Sequence, residues 1–213
     1  DDVPAEVVVV VDTSAGGDDT SRQLQLATAE AILRALSAED RFALVSLDVE
    51  AKVLYPSEGL AAVGEDEITS ALERLADHST GGATDLATFF DVALGRLHDA
   101  RQPAVIYVGD GHATSGDLTG DQLREGLRRA LSTSPARLFT VGVGSDASHT
   151  LLEELARTGG GQSFRIDEAS EATERALRLA AVIKTPTITS LELDLGPGHD
   201  DVFVSGGGKV SRG

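Results

Sequence analysis

The 213-residue chain has no cysteine, no methionine and no tryptophan, and its only aromatic residues are two tyrosines and six phenylalanines. Without cysteine there is neither a disulfide framework nor a thiolate zinc site. Without methionine even at position 1, the sequence reads as processed or cut from a longer protein, with Asp1 close to a domain boundary. Positive charge is scarce: 18 Lys and Arg stand against 35 Asp and Glu, for a formal net charge of -17. Such a surface repels phosphate backbones, which excludes nucleic acid as a partner, and it attracts cations. Long apolar runs are missing too. The longest, Val7–Val11, falls far short of the roughly 20 residues of a spanning helix, so neither a membrane span nor a signal peptide is visible. Enzyme signatures are equally thin. There is no Gly-x-Ser-x-Gly elbow and no Gly-Lys-Ser/Thr phosphate loop, and Gly142-Val143-Gly144 lacks the third glycine of a dinucleotide fingerprint. Ser14, Asp110 and His112 can be drawn as a hydrolase triad, but His112 lies only two residues from Asp110. The chain therefore reads as a non-enzyme. His78, His98, His149 and His199 are scattered and read as surface residues.

What is present is an alternation of strand and helix signals. Apolar runs at Glu6–Val11, Ala104–Gly109 and Ala136–Val143 predict strands buried on both faces. Arg41–Asp48 and Ala51–Tyr55 leave two residues between them and predict a tight antiparallel hairpin. Gly161–Ile166 predicts a further short strand. Helical spacing of apolar residues appears over Ser21–Leu36, Glu65–Ala76, Thr84–Leu97, Thr119–Leu131, His149–Thr158 and Ala169–Ile183. The expectation is an α/β, Rossmann-like domain over residues 1–184. Its open, doubly wound, mostly parallel sheet is ordered 3-2-1-4-5-6, with one antiparallel edge strand and helices on both faces. After Lys184, Thr185-Pro186 stops the last helix. Residues 185–213 read as an extended tail or the start of a β-rich neighbouring module.

In such sheets ligands bind beyond the carboxyl ends of the strands, where strand order reverses. Three loops should converge there: Asp12-Thr13-Ser14-Ala15-Gly16, Gly81-Gly82-Ala83-Thr84-Asp85, and Gly109-Asp110-Gly111-His112. Together they offer carboxylates and hydroxyls but no thiol. Hard oxygen donors of this kind suit Mg²⁺, Mn²⁺ or Ca²⁺. Asp85 reads as a helix-start acid, and His112 as a rim residue; both are candidates for contact with a partner.

Asp12-x-Ser14-x-Gly16, with Thr84 in a glycine-led loop and Asp110-Gly111 after an apolar strand, resembles the von Willebrand factor A domain over about residues 5–183. The resemblance implies a metal-ion-dependent adhesion site in which Asp12, Ser14, Thr84 and Asp110 hold a divalent cation. It implies an adhesion-type interaction module whose ion accepts an Asp or Glu from a protein partner. Gly16 departs from the pattern, because a second serine is expected there, so weak metal binding is expected. Gly109 also replaces a frequent threonine. The tail resembles the segment directly C-terminal to the A domain in bacterial relatives of inter-alpha-trypsin-inhibitor heavy chains. That reading places the domain in a larger extracytoplasmic or cell-surface protein. Two other readings are an accessory domain of an intracellular ATPase or chelatase complex, and a structural domain whose site has decayed.

Overall fold

The computed structural model describes residues 3–14, 19–79, 81, 86, 89–97, 100–112, 120–185, 187–188 and 210–211. Five successive valines, Val7 to Val11, form the middle of strand β1 (Glu6–Asp12), and all are buried. A strand buried on both faces occupies the centre of a sheet, and β1 does so. It pairs in parallel with β2 (Arg41–Leu47) on one side and with β5 (Pro103–Gly109) on the other. Beyond β5 lie β6 (Arg137–Val143) and β7 (Gly160–Ile166), both parallel. Beyond β2 lies the antiparallel partner of the hairpin, β3 (Ala51–Tyr55). The order β3-β2-β1-β5-β6-β7 is the one expected from the strand–helix alternation. Within the described part of the main sheet, β4 (Ala61–Ala62), which also pairs with β2, has no counterpart in the sequence pattern, being too short to show a period.

Because side chains alternate along a strand, each central strand feeds two separate cores. Val7, Val9 and Val11 pack with Phe42, Ile106 and Phe139 under α1 (Asp19–Ala35), α2 (Glu65–Asp77) and α6 (Ala169–Lys184). Val8 and Val10 pack with Val45, Tyr107 and Leu138 under α3 (Phe89–Arg96), α4 (Gly120–Leu131) and α5 (His149–Thr158). Helix α1 begins two residues before the expected Ser21. Its first turn is polar, with Asp19 placed where the helix dipole favours an acid, so apolar spacing does not reveal it. Helix α3 is described from Phe89 to Arg96, and the expected start at Thr84 lies outside the described residues.

A buried carboxylate closes the domain on itself. Asp40, 1% exposed, accepts hydrogen bonds from Ala5 N at 2.8 Å, Ser37 N at 2.7 Å and Ser37 Oγ at 2.9 Å. Lys184 at the end of α6 completes the set with an ion pair of 3.0 Å. The entry to β1 and the exit from α6 are thereby tied to one side chain. In the tail, β8 (Thr187–Ile188) and β9 (Val210–Ser211) pair with each other in an antiparallel ladder apart from the main sheet.

Candidate functional site

Strand order reverses at β1: the chain leaves it for β2 on one side and reaches β5 on the other. Asp12 is the last residue of β1, and Asp110 comes directly after the last residue of its neighbour β5. The two carboxylates are thus brought to the carboxyl edge at the switch point, as the sequence implied. Thr84 and Asp85 lie outside the described residues, as do Gly16 and Asp18. Among the described residues no three of His, Asp and Glu gather into a ready-made metal cluster.

Asp12 is 1% exposed and held from two sides. Its Oδ1 accepts the Ser14 N–H at 3.0 Å, and its Oδ2 accepts the Tyr107 hydroxyl at 2.9 Å. The neighbouring Thr13 donates through N to the Leu47 carbonyl at 2.7 Å, which fixes the start of the loop against β2. Asp110 is half-buried. Its Oδ1 accepts the His112 N–H at 2.8 Å, and its carbonyl accepts Ser148 N at 2.6 Å. His112 is exposed on the rim, with ring Nε2 2.8 Å from the Asp146 carbonyl. Gly111 has φ +72, and a Cβ there would meet Leu152, so glycine is required at this turn. The segment that leads towards Thr84 begins at His78, whose carbonyl is held by Arg22 of α1 at 2.8 Å.

The electrostatics arise from this packing. Burial pushes the Asp12 carboxyl above its ordinary pKa, and repulsion from Asp110 adds to it. The hydrogen bonds from Ser14 and Tyr107 oppose that rise without cancelling it. Burial likewise raises the Tyr107 phenol well above its ordinary value, with the charges of Asp12 and Asp110 acting in the same direction. Tyr107 is therefore a permanent proton donor at neutral pH. A buried carboxylate facing a second carboxylate is a place where a divalent cation would relieve both desolvation and repulsion. The donors are hard oxygens, so the residues present fit Mg²⁺, Mn²⁺ or Ca²⁺ in kind.

Two expectations from the sequence need correction. His78 and His149 do not lie free on the surface. His78 is half-buried at the end of α2, with Nε2 3.8 Å from Asp48 Oδ2. His149 is half-buried at the start of α5, where a Cβ on Gly142 would touch its ring. Both lie against a residue at or just beyond the end of a strand, Asp48 after β2 and Gly142 in β6, a placement that spacing alone does not reveal. Tyr107 also escapes the sequence pattern. A tyrosine in an otherwise aliphatic buried strand reads as core, although its hydroxyl demands a partner.

The family model of the von Willebrand factor type A domain matches residues 5–164. The chain belongs to the von Willebrand factor type A family. It is 27% identical over 204 residues to inter-alpha-trypsin inhibitor heavy chain H4 of Homo sapiens, a match covering 90% of this chain and 21% of that one. The chain thus spans about a fifth of the length of the curated relatives it matches. Its fold resembles that of a von Willebrand factor type A protein from Catenulispora acidiphila, with a TM-score of 0.73 at 19% identity, over 88% of this chain and 44% of that one. It also resembles proximal thread matrix protein 1 of the mussel byssus in a structure with a zinc-occupied MIDAS motif. There the TM-score is 0.67 at 14% identity, over 89% of this chain and 50% of that one. Domains of this family commonly mediate protein interactions.

Proposed function

We propose that residues 1–184 form a protein-interaction module, and not an enzyme, that engages its partner through a divalent cation at the carboxyl edge of the sheet. Asp12, Ser14, Thr84 and Asp110 would hold the ion. An Asp or Glu of the partner would complete its shell, with Asp85 and His112 on the contact rim. The observation that carries this reading is the burial of Asp12 beside Asp110 at the switch point, where a cation stabilises what is otherwise a repelling pair. The zinc-occupied site of a structural neighbour supports the same class of chemistry. Similarity to inter-alpha-trypsin inhibitor heavy chains supports an extracytoplasmic setting within a larger protein, in which residues 185–213 are an extended tail or the start of a β-rich neighbouring module. Among the described residues, no helix is long and apolar enough to cross a membrane.

A second reading, a decayed site with a purely structural role, is favoured by Gly16 alone, since glycine supplies no hydroxyl. Calorimetric titration with Mn²⁺ separates the two. The native protein should bind weakly, and Gly16→Ser should tighten binding by about tenfold. Asp110→Ala should remove binding while the melting temperature holds or rises slightly, because a like-charge contact with Asp12 is lost. Native protein that binds no better than Asp110→Ala would establish the decayed site.

A further inference from the structure

The site contains a hydroxyl that the adhesion-site pattern does not include. Tyr107 lies on β5, two residues before Gly109 and therefore on the same face of the sheet. It is 1% exposed, and its ring is stacked at 5.8 Å on Phe89 of α3. Its hydroxyl reaches the strand ends. There it donates to Asp12 Oδ2 at 2.9 Å and accepts the Gly111 N–H at 3.2 Å. One oxygen thus joins the end of β1 to the turn that carries Asp110. Gly109 is part of the same device. A Cβ at position 109 would lie 2.5 Å from the Tyr107 hydroxyl oxygen and 2.6 Å from Asp12 Cβ. A side chain at 109 would therefore force both the Tyr107 phenol and the Asp12 side chain to shift. The glycine that looks like a loss in the sequence is the space into which the phenol extends.

We propose that Tyr107 is a positioning residue of the cation site, holding the Asp12 carboxylate and the Gly111 turn in one fixed relation through its hydroxyl. The inference rests on the cation reading above. Oδ1 of Asp12 is oriented by Ser14 and Oδ2 by Tyr107, so the carboxylate is set before any ion arrives. A ligand held in this way binds without first losing rotamer freedom. Tyr107 does not touch the ion; it acts through Asp12 and through the backbone that presents Asp110.

Tyr107→Phe keeps the ring and its stacking on Phe89 and removes only the hydroxyl. Two readouts test the proposal. In Mn²⁺ titration the variant should bind about tenfold more weakly than the native protein, the range seen when a group that orients a metal ligand is removed. In the metal-free protein the Gly111 amide, having lost its acceptor, should exchange with solvent faster, while amides of β6 are unchanged. Equal or tighter Mn²⁺ binding by Tyr107→Phe overturns the positioning role. If the native protein takes up no Mn²⁺, the cation reading fails, and Gly111 exchange then decides the clamp alone. Faster exchange in the variant sustains it, and equal exchange overturns it. A third measurement keeps the tyrosine in place, in case the variant folds poorly. The chain has no tryptophan and two tyrosines. In a Tyr55→Phe background, Tyr107 is the sole source of the tyrosine near-ultraviolet band. Saturating Mg²⁺ should shift that band as Asp12 repolarises its hydrogen bond, and a band unmoved by a Mg²⁺ ion that calorimetry shows to be bound contradicts the proposal.

Discussion

At the scale of single residues, the acids of this chain divide by what surrounds them. Asp12 is buried with too little compensation, and its pKa rises. Asp40 is buried with ample compensation. Burial alone would raise its pKa, but the hydrogen bonds from Ala5 N, Ser37 N, Lys184 and Ser37 Oγ outweigh burial, and the pKa falls below the ordinary 3.8. The first arrangement suits a site that awaits a cation; the second suits a clasp. Stability supplied by Asp40 is complete above the unfolded pKa near 3.8 and is lost as pH falls through the lower folded value. Asp40→Ala should destabilise the domain by about 3 kcal/mol at pH 7, because Lys184 and two backbone donors lose a buried charged acceptor. Asp40→Asn should lose less. Urea melts of the native protein and Asp40→Asn should converge as pH is lowered from 5 towards 2. A gap that stays constant over that range would show that Asp40 contributes through packing and not through charge.

At the scale of elements, close approach of backbones matters more than composition. The β6–β7 pair carries an irregularity between Leu138 and Thr140, and Gly161 lies at it. A Cβ on Gly161 would fall against the backbone carbonyl of Leu138, a main-chain group with no room to withdraw. Gly161→Ala should therefore cost about 2 kcal/mol, within the range for overpacking. Gly126 of α4 has nothing within 4 Å of where its Cβ would be, so Gly126→Ala should stabilise the helix by up to about 1 kcal/mol. Opposite signs in thermal melts of these two variants would check the argument, and a stabilised Gly161→Ala would refute it. The strands were legible in sequence because valine repeats without a polar break mark a sheet centre, as at Val7–Val11. The order of the sheet followed from the alternation of strands with helices. The Asp12 and Asp110 placements followed from that order. Less was legible where a residue serves two roles. Tyr107 looks like core until its hydroxyl is traced to Asp12, and Gly109 looks like a missing threonine until the phenol is seen beside it. The two-residue β4 and the half-buried His78 and His149 depend on contacts across the fold that no local period encodes.

At the scale of the whole molecule, a formal charge of -17 acts on every equilibrium of the domain. Self-repulsion among surface acids destabilises the compact state, and monovalent salt screens it over a Debye length of about 10 Å at 0.1 M. NaCl should therefore raise the melting temperature and then level off. Divalent ions add a second contribution only if they bind the native state at a defined place. At an ion concentration of about 100 times Kd, such binding stabilises by about 2.7 kcal/mol. For a domain of this size, that corresponds to a rise of roughly 5–10 °C. The two contributions separate by design. Mg²⁺ or Mn²⁺ is added at constant ionic strength, balanced with NaCl, so that the screening part does not change. The native protein should show the extra rise. Asp110→Ala should lose it while keeping the response to NaCl, because one carboxylate of the site is gone and the other surface acids remain. A divalent effect equal in both proteins would mean that the ions act only as a diffuse atmosphere around an acidic surface, and the cation site at Asp12 and Asp110 would then be refuted.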